Sequence, residues 1–204
     1  MIESMYIGSG DIPALLAGIN TKTHLLLLQR FVSGVKPYYN ALASPIDALR
    51  TGAILEERML LFMPDNYLSQ YRVECSQLNV FRSTLDFACL KNGSVCHFFE
   101  MKTVFWLEFA EMREAFAKDN IIEYIKKKRK NEYVQIQAQL MCTNLEKATF
   151  RYVIVYNYDD EENWQREITE RDYLDIEINR DDVVISKIVE RGKIFQQIKD
   201  EYDR

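Results

Sequence analysis

Apolar residues recur every three or four positions in some stretches of this chain and at alternating positions in others, which separates predicted helices from predicted strands. Helical spacing and capping signals predict helices over about residues 12–16, 23–32, 44–64, 108–129, 132–145 and 188–202. Stretches rich in β-branched and aromatic residues predict strands over 71–75, 79–81, 85–90, 95–103, 150–158, 174–178 and 183–185. The chain shows neither a repeat nor a linker. It therefore predicts one α/β domain over residues 1–204, a central mixed β-sheet flanked by helices.

One carboxylate falls within the apolar stripe of the third predicted helix. The stripe consists of Leu49, Ala53, Leu60 and Met63. Glu56 lies on the same line, whereas its neighbour Glu57 points about 100° away and has an ordinary solvated interpretation. Because an acidic group that faces a core is costly unless something pairs with it, Glu56 is a candidate ligand for a metal ion.

A second group of charges lies on the hairpin that the turn Lys91–Ser94 predicts. Glu100 and Lys102 are two residues apart in one strand and therefore share a face, and Asp86 belongs to the preceding strand. Charges on a solvated hairpin are the ordinary interpretation, but the aromatic and aliphatic flanks of this strand indicate that it is buried. Two carboxylates beside an ammonium can hold a divalent cation and orient a water, which is the chemistry of phosphodiester hydrolysis.

Composition constrains the function only weakly. The chain has 204 residues, 48% of them apolar, and a net charge of −5, which does not favour nucleic-acid binding. However, carboxylates gathered at metal ions lower the net charge of a nuclease, and charge is uneven along this chain. One basic run could contact a DNA backbone or simply be the solvated end of a helix: Lys126, Lys127, Lys128, Arg129 and Lys130.

The cysteines and the N-terminus bear on the compartment. Cysteines at 75, 89, 96 and 142 lack metal-finger spacing, and the first residues do not resemble a secretory signal. We therefore expect reduced thiols and a cytoplasmic location. No run of about eighteen apolar residues is present, so we expect no membrane association.

Four blocks, in order, resemble the PD-(D/E)xK nuclease superfamily, and more closely the YqaJ-type viral recombinases and the lambda phage exonuclease. They are Ile7–Ile12, similar to an opening Ile-Gly-Gly-Ser-Asp turn; Gly52–Glu56, similar to a Gly-x-x-x-Glu helix; Asp86 with Glu100–Thr103, similar to the catalytic hairpin; and Tyr133–Gln137, similar to a Tyr-x-x-Gln-Val-Gln helix.

The resemblance implies a role for each matching residue. Glu56, Asp86, Glu100 and the Met101 carbonyl would hold Mg²⁺, for which Mn²⁺ would substitute. Oxygen ligands without histidine or cysteine fit this hard cation better than zinc. Lys102 would position the attacking water, as its place in the triplet also suggests. Gln135 would help to hold that lysine or the water.

The resemblance also implies an exonuclease that resects double-stranded DNA ends 5′ to 3′ for phage-type recombination by single-strand annealing. An annealing protein would be its partner, a homotrimeric ring its assembly, and the cytoplasm of a bacterial host its location. Some positions depart from the pattern. Ser9, a candidate DNA contact, stands one residue before the expected place. An arginine that commonly precedes the opening motif is missing from the six residues before Ile7. Residues 104–131 look like an insertion.

Two other functions remain open at this point. The first is a different nuclease of the superfamily, either RecB-like or a structure-specific endonuclease. Iron–sulfur members of that group need an N-terminal cysteine and a C-terminal trio, whereas the cysteines here bracket the hairpin, so we expect no iron–sulfur cluster. The second is an inactive DNA-binding module, against which the joint presence of Glu56, Asp86, Glu100, Lys102 and Gln135 argues.

Overall fold

The computed structural model describes residues 5–34, 47–157 and 166–203. Its strands are β1 Ile7–Gly8, β2 Tyr67–Glu74, β3 Phe81–Lys91, β4 Ser94–Phe105, β5 Lys147–Val155 and β6 Tyr173–Asn179. Its α-helices are α1 Ile12–Leu16, α2 Lys22–Ser33, α3 Asp47–Met59, α4 Trp106–Ala117, α5 Ile121–Lys128, α6 Lys130–Thr143 and α7 Asp182–Tyr202. Helices cover a mixed β-sheet, which confirms the predicted fold class.

The sheet is built around the β3–β4 hairpin. β2 and β3 pair antiparallel, β4 and β5 pair parallel, and β6 closes the far edge antiparallel to β5, while β1 pairs with the start of β3. The predicted hairpin turn is confirmed. Asn92 and Gly93 both have positive φ, at 54° and 79°, as a two-residue turn between twisted strands requires.

The connection between the parallel strands β4 and β5 crosses the sheet through α4, α5 and α6, as a parallel pair demands. The prediction of one helix over 108–129 is wrong, because Asp119 adopts a left-handed conformation at φ 54° and separates α4 from α5. A helix cannot continue through a residue in that conformation. That residues 104–131 are an insertion remains a prediction.

The buried face of α3 differs from the predicted stripe. Leu49 and Leu60 are 41% and 39% exposed, whereas Leu55 and Met59 are buried, one helical turn apart. The helix ends at Met59, and the 3₁₀ turn that follows changes the angular spacing of later side chains. The predicted start at residues 44–46 lies outside the described residues.

Strand boundaries differ where short apolar runs were ambiguous. The predicted strand 183–185 is wrong, since those residues lie in the first turns of α7, where the Asp181 side chain accepts a hydrogen bond from the Val184 amide at 3.2 Å. Of the predicted strand 79–81 only Phe81 is extended, and β2 begins four residues earlier than predicted. β5 ends at Val155, and residue 158 lies outside the described residues.

α6 is the central helix of the fold, because it is buried on almost every side. It packs across the sheet and against α1 and α7. Its buried residues are Tyr133, Val134, Ile136, Gln137, Ala138, Gln139, Leu140 and Met141. Buried glutamines need partners, so their positions indicate where polar groups meet the core. Within the described parts of the chain, no helix is both long and apolar enough to cross a bilayer.

Candidate active site

The β3–β4 hairpin is paired at its turn and forks toward its other end. The paired register runs from Lys91 and Ser94 to Phe87 and Phe99, and the next residue of β3 is Asp86. There the Met101 amide donates a hydrogen bond to the side chain of Asp86, at 2.7 Å from Oδ2, instead of to a backbone carbonyl of the neighbouring strand. The fork therefore fixes the side chain of Asp86 beside the Glu100–Lys102 segment.

Glu100 is buried, with 2% of its surface exposed, and both of its oxygens are bound. Lys102 Nζ and Gln135 Nε2 each lie 2.5 Å from Oε1. Gln139 Nε2 donates to Oε2, also at 2.5 Å. The structure thus brings the predicted residues Glu100, Lys102 and Gln135 into one hydrogen-bonded group, and α6 supplies the amide donors.

The sequence interpretation missed Gln139. Its side chain is fully buried, and its amide nitrogen also lies 3.4 Å from the Thr84 carbonyl. Its Oε1 has no hydrogen-bond partner among the described residues. The signal was present, because residues four apart on a helix share a face and Gln139 follows Gln135 at that spacing.

Glu56 reaches the same group from α3 and accepts a hydrogen bond from Gln70 Nε2. Gln70 was not predicted. It lies in the middle of β2 with φ 50°, between the pairs that its neighbours make with Phe87 and Leu85, and so opposite Asp86. A left-handed residue other than glycine costs about 1 kcal/mol or more and persists only where its surroundings hold it. No sequence signal marks this conformation.

The charges of these groups are coupled. Burial, with the nearby charges of Glu100 and Glu56, raises the pKa of Asp86 well above its usual range. Burial also raises the pKa of Glu56, which the hydrogen bond from Gln70 opposes and the charge of Glu100 reinforces. Burial alone would lower the pKa of Lys102, but the charges of Glu100 and Asp86 outweigh it and raise that pKa. Lys102 is therefore a stable ammonium.

Three carboxyl groups and one ammonium leave this site short of positive charge, and oxygen donors are the ligands that Mg²⁺ and Mn²⁺ prefer. In donor chemistry and charge the residues therefore fit a divalent cation. Among the described residues, however, no three His, Cys, Asp or Glu side chains form a ready-made metal-binding group. Glu56 and Glu100 are hydrogen-bonded to amide or ammonium groups instead, so the predicted metal ligation remains a prediction.

Comparison with known proteins shows which solved structures share the fold of this chain. No family model matches the chain, and no curated protein matches it in sequence. Alkaline exonuclease LHK-Exo from Laribacter hongkongensis superposes with a TM-score of 0.62 at 13% identity, over 97% of this chain and 89% of that one. LHK-Exo in complex with dAMP gives the same TM-score, over the same shares, at 15% identity. A phage-related exonuclease from Haemophilus somnus 129PT superposes with a TM-score of 0.63 at 13% identity, over 98% and 96%. The chain has the fold of these exonucleases. At the level of the fold, this confirms the resemblance found in the sequence.

Next to the fork lies a small basic pocket of about 230 Å³. Its lining residues are Tyr6, Gly8, Ser9, Gly10, Arg72, Arg82, Ser83 and Thr84. Arg82 packs over the Tyr6 ring at 4.5 Å and pairs with Glu74 at 3.1 Å, but its Nε has no hydrogen-bond partner among the described residues. The buried Ser83 hydroxyl also lacks a partner there. The predicted DNA contact Ser9 lies in this pocket, whereas the two arginines were missed.

The basic run at the end of α5 divides into two groups. The side chain of Arg129 is half-buried and forms ion pairs with Glu108 at 2.7 Å and with Glu132 at 2.8 Å. Lys126 lies 3.8 Å from Asp181. The remaining side chains of the run are exposed: Lys127, Lys128 and Lys130. Only the exposed group is placed to meet a DNA backbone without first breaking an ion pair, and DNA contact by this run remains a prediction.

Proposed function

We propose that this protein is a metal-dependent DNA exonuclease that resects double-stranded ends in the 5′-to-3′ direction. The observation that carries the proposal is the group formed by Asp86, Glu100 and Lys102 at the fork of the β3–β4 hairpin. An acid pair of which Glu100 is buried, beside a stable ammonium, is suited to phosphodiester hydrolysis. The fold shared with solved exonucleases supports the same reaction.

Each residue of the group has a distinct role in this proposal. Glu56, Asp86, Glu100 and the Met101 carbonyl would hold Mg²⁺ or Mn²⁺. When bound, such a cation supplies a Lewis acid that offsets the charge of the scissile phosphate. Lys102 orients the attacking water and stabilises the charge that develops on phosphate oxygens, since its raised pKa makes it a poor general base.

The amide side chains of α6 complete the site. Gln135 and Gln139 hold the two oxygens of Glu100 from one side, so this carboxylate is oriented before substrate arrives. Orientation of a ligand by such outer partners is worth about 10- to 100-fold in metal affinity or activity. Their role is positioning, because neither contacts the reacting atoms in this proposal.

The pocket beside the fork supports recognition of a DNA end. Two arginines and neighbouring hydroxyls offer charge-assisted hydrogen bonds to a terminal 5′-phosphate, which carries more charge than an internal phosphodiester. Arg72 and Arg82 would supply the positive charge that the family pattern assigns to an upstream arginine. The pocket and the acidic residues are close along the chain, since Thr84 lines the pocket and lies two residues before Asp86.

Further properties belong to the same proposal and follow from the resemblance. Resection would leave a 3′ single-stranded tail for a phage-type annealing protein, and three copies of the chain would enclose the duplex as a ring. The reaction would take place in the cytoplasm of a bacterial host. Light scattering of the purified protein tests the trimer, and a monomer at working concentration would remove that part of the proposal.

A blunt duplex labelled at either 5′ or 3′ end, digested with Mg²⁺ in a time course, tests the reaction. We expect early loss of the 5′ label as mononucleotide, no activity with chelator, and none with Lys102→Ala. Circular duplex should persist. Cleavage of the circle would favour the structure-specific or RecB-like alternative, and full activity of Lys102→Ala would overturn the site assignment.

A second pair of substrates tests end recognition. We expect duplexes with 5′-phosphate to be digested faster than duplexes with 5′-hydroxyl, and Arg72→Ala to remove that preference by slowing only the phosphorylated substrate. The matched control is Arg171→Ala, an exposed arginine outside the pocket. Equal rates on both ends with the unaltered protein would contradict the assignment of the pocket.

A further inference from the structure

The turn end of the β3–β4 hairpin brings two thiols together. Cys89 Sγ and Cys96 Sγ lie 3.3 Å apart, one on each strand. Cys96 Sγ also lies 3.4 Å from the Cys89 carbonyl. A disulfide needs sulfur atoms about 2.05 Å apart, so a movement of little more than 1 Å separates this contact from a covalent bond.

A β-bulge creates the contact. Cys89 pairs with His97 and Leu90 pairs with Val95, which leaves Cys96 as the extra residue between two ladder pairs. In a regular ladder Cys96 would oppose Leu90, and its side chain would point to the opposite face from Cys89. The bulge turns Cys96 toward Cys89 instead, so this irregularity of the strand determines which groups meet.

The two thiols differ in access and in surroundings. Cys96 is exposed, whereas Cys89 is buried and accepts a hydrogen bond from Asn66 Nδ2 at 3.0 Å. The hydrogen bond with Cys96, together with burial, raises the pKa of Cys89. A small oxidant in solution therefore reaches Cys96 first, and the Cys89 thiol lies within contact distance of it.

We propose that Cys89 and Cys96 form a redox-active dithiol that hydroperoxides convert into a cross-strand disulfide. The Cys96 thiolate attacks one peroxide oxygen, the O–O bond breaks, and hydroxide leaves, so that sulfenic acid forms on Cys96. Cys89 sulfur then attacks the Cys96 sulfur, the S–O bond breaks, and water leaves once the thiol proton is transferred. Two thiols and one hydrogen peroxide give one disulfide and two waters. The inference does not depend on the proposed nuclease activity.

The other two cysteines, Cys75 and Cys142, form a second pair that competes with Cys89 and Cys96 for the oxidant. A hydrogen bond from Cys142 lowers the pKa of Cys75 to about 6, so Cys75 has the greater thiolate character. However, Cys75 is only 3% exposed within an apolar cluster. Access and pKa thus favour different pairs, and the experiment must tell them apart.

Peptide mapping can do so, because trypsin places each cysteine in its own peptide. Residues 83–91 contain Cys89, 92–102 contain Cys96, 73–82 contain Cys75 and 131–147 contain Cys142. We expect brief treatment of the native protein with hydrogen peroxide, followed by alkylation and non-reducing digestion, to link peptides 83–91 and 92–102. Dithiothreitol should separate them again.

Matched variants make the result decisive. Cys75→Ser/Cys142→Ser should form the same linked peptide, while Cys96→Ser, altered at an exposed position, should form none. Closing this short loop should also raise the Tm by on the order of 5 °C, and reduction should reverse the shift. The proposal is overturned if both peptides stay fully alkylated, or if they are oxidised only between separate molecules or only at Cys75 and Cys142.

Discussion

The acidic residues of the candidate site fall into two halves, which the fold holds in different ways. On the α6 side, Glu100 is buried and accepts three hydrogen bonds from Lys102, Gln135 and Gln139. On the α3 side, Glu56 is half-buried, and Gln70 is the one side chain shown to donate to it in the described residues. The first half is organised in advance by a helix and a strand, while the second depends on one residue in a strained conformation.

The two halves differ in the kind of unfavourable free energy that each carries. The α6 side carries the desolvation of a buried ion pair, which its amides and ammonium offset. The α3 side carries backbone strain at Gln70, which neighbouring strand pairs must sustain. Substitutions on the α6 side should therefore change both rate and stability, whereas on the α3 side the two effects can be separated.

Asp86→Asn should have the largest effect, because it removes one acid from between the two halves. Asparagine keeps an oxygen for the Met101 amide but no charge for a cation. We expect Mg²⁺-dependent cleavage to fall on the order of 10³-fold, measured by single-turnover digestion of labelled duplex. Circular dichroism should show an unchanged fold, and wild-type cleavage by this variant would contradict the role of Asp86.

The same variant should be more stable than the parent without metal. The pKa of Asp86 is raised above its ordinary value of 3.8, so the folded protein holds this proton more tightly than the unfolded chain. The contribution of Asp86 to the stability of the metal-free protein therefore falls as pH rises above about 4, and Asp86→Asn should remove that loss, so that the variant is the more stable protein near neutrality. Urea unfolding from pH 4 to 8 measures it, and equal pH slopes for both proteins would show that Asp86 carries no such cost.

Two buried glutamines on α6 separate positioning from packing. Gln139→Leu removes a donor to Glu100 and should lower the rate about 10- to 100-fold and the stability by about 1–3 kcal/mol. Gln137→Leu is the matched control, because the hydrogen bonds of that side chain within the described residues go to the backbone of Asn179 and Asp181. It should lose similar stability but keep the rate per folded molecule. If both variants lose rate equally, the positioning role of Gln139 is wrong.

Gln70 tests the strained half. Gln70→Ala and Gln70→Gly both remove the hydrogen bond to Glu56 and should lower the rate to a similar extent, by about 10-fold. Glycine tolerates φ 50°, so Gln70→Gly should be about 1 kcal/mol more stable than Gln70→Ala. Kinetics and urea unfolding of the pair measure the two effects, and equal stability of the variants would mean that this position is not strained.

The smallest effect is expected outside both halves, at the exposed lysines after α5. Lys127→Gln/Lys128→Gln should weaken DNA binding a few-fold and lower the slope of log affinity against log salt by about one for each phosphate that a lysine no longer neutralises. Lys187→Gln/Lys193→Gln, an exposed pair on α7, is the control for net charge. Equal slopes for the two double variants would assign the basic run to an ordinary solvated surface.

The sequence predicted the elements better than their ends. The hairpin and α6 were predicted because their turn residues and their periodicity are strong local signals. The break at Asp119 was missed, since a left-handed aspartate leaves no mark in an apolar pattern. The extended interpretation of residues 183–185 failed because a short apolar run cannot tell a strand from the first turn of a helix.

Within the site, the sequence by itself determined which residues are the candidates for the chemistry. Glu56, Asp86, Glu100, Lys102 and Gln135 could be named from their residue types, their alternation in a strand and their resemblance to a nuclease pattern. Only the tertiary structure decided their partners. The fork of the hairpin, the left-handed Gln70, the amide of Gln139 and the basic pocket all arise from contacts between residues far apart in the chain. Local periodicity carries no information about such contacts, because it records which face a side chain takes but not what lies opposite it.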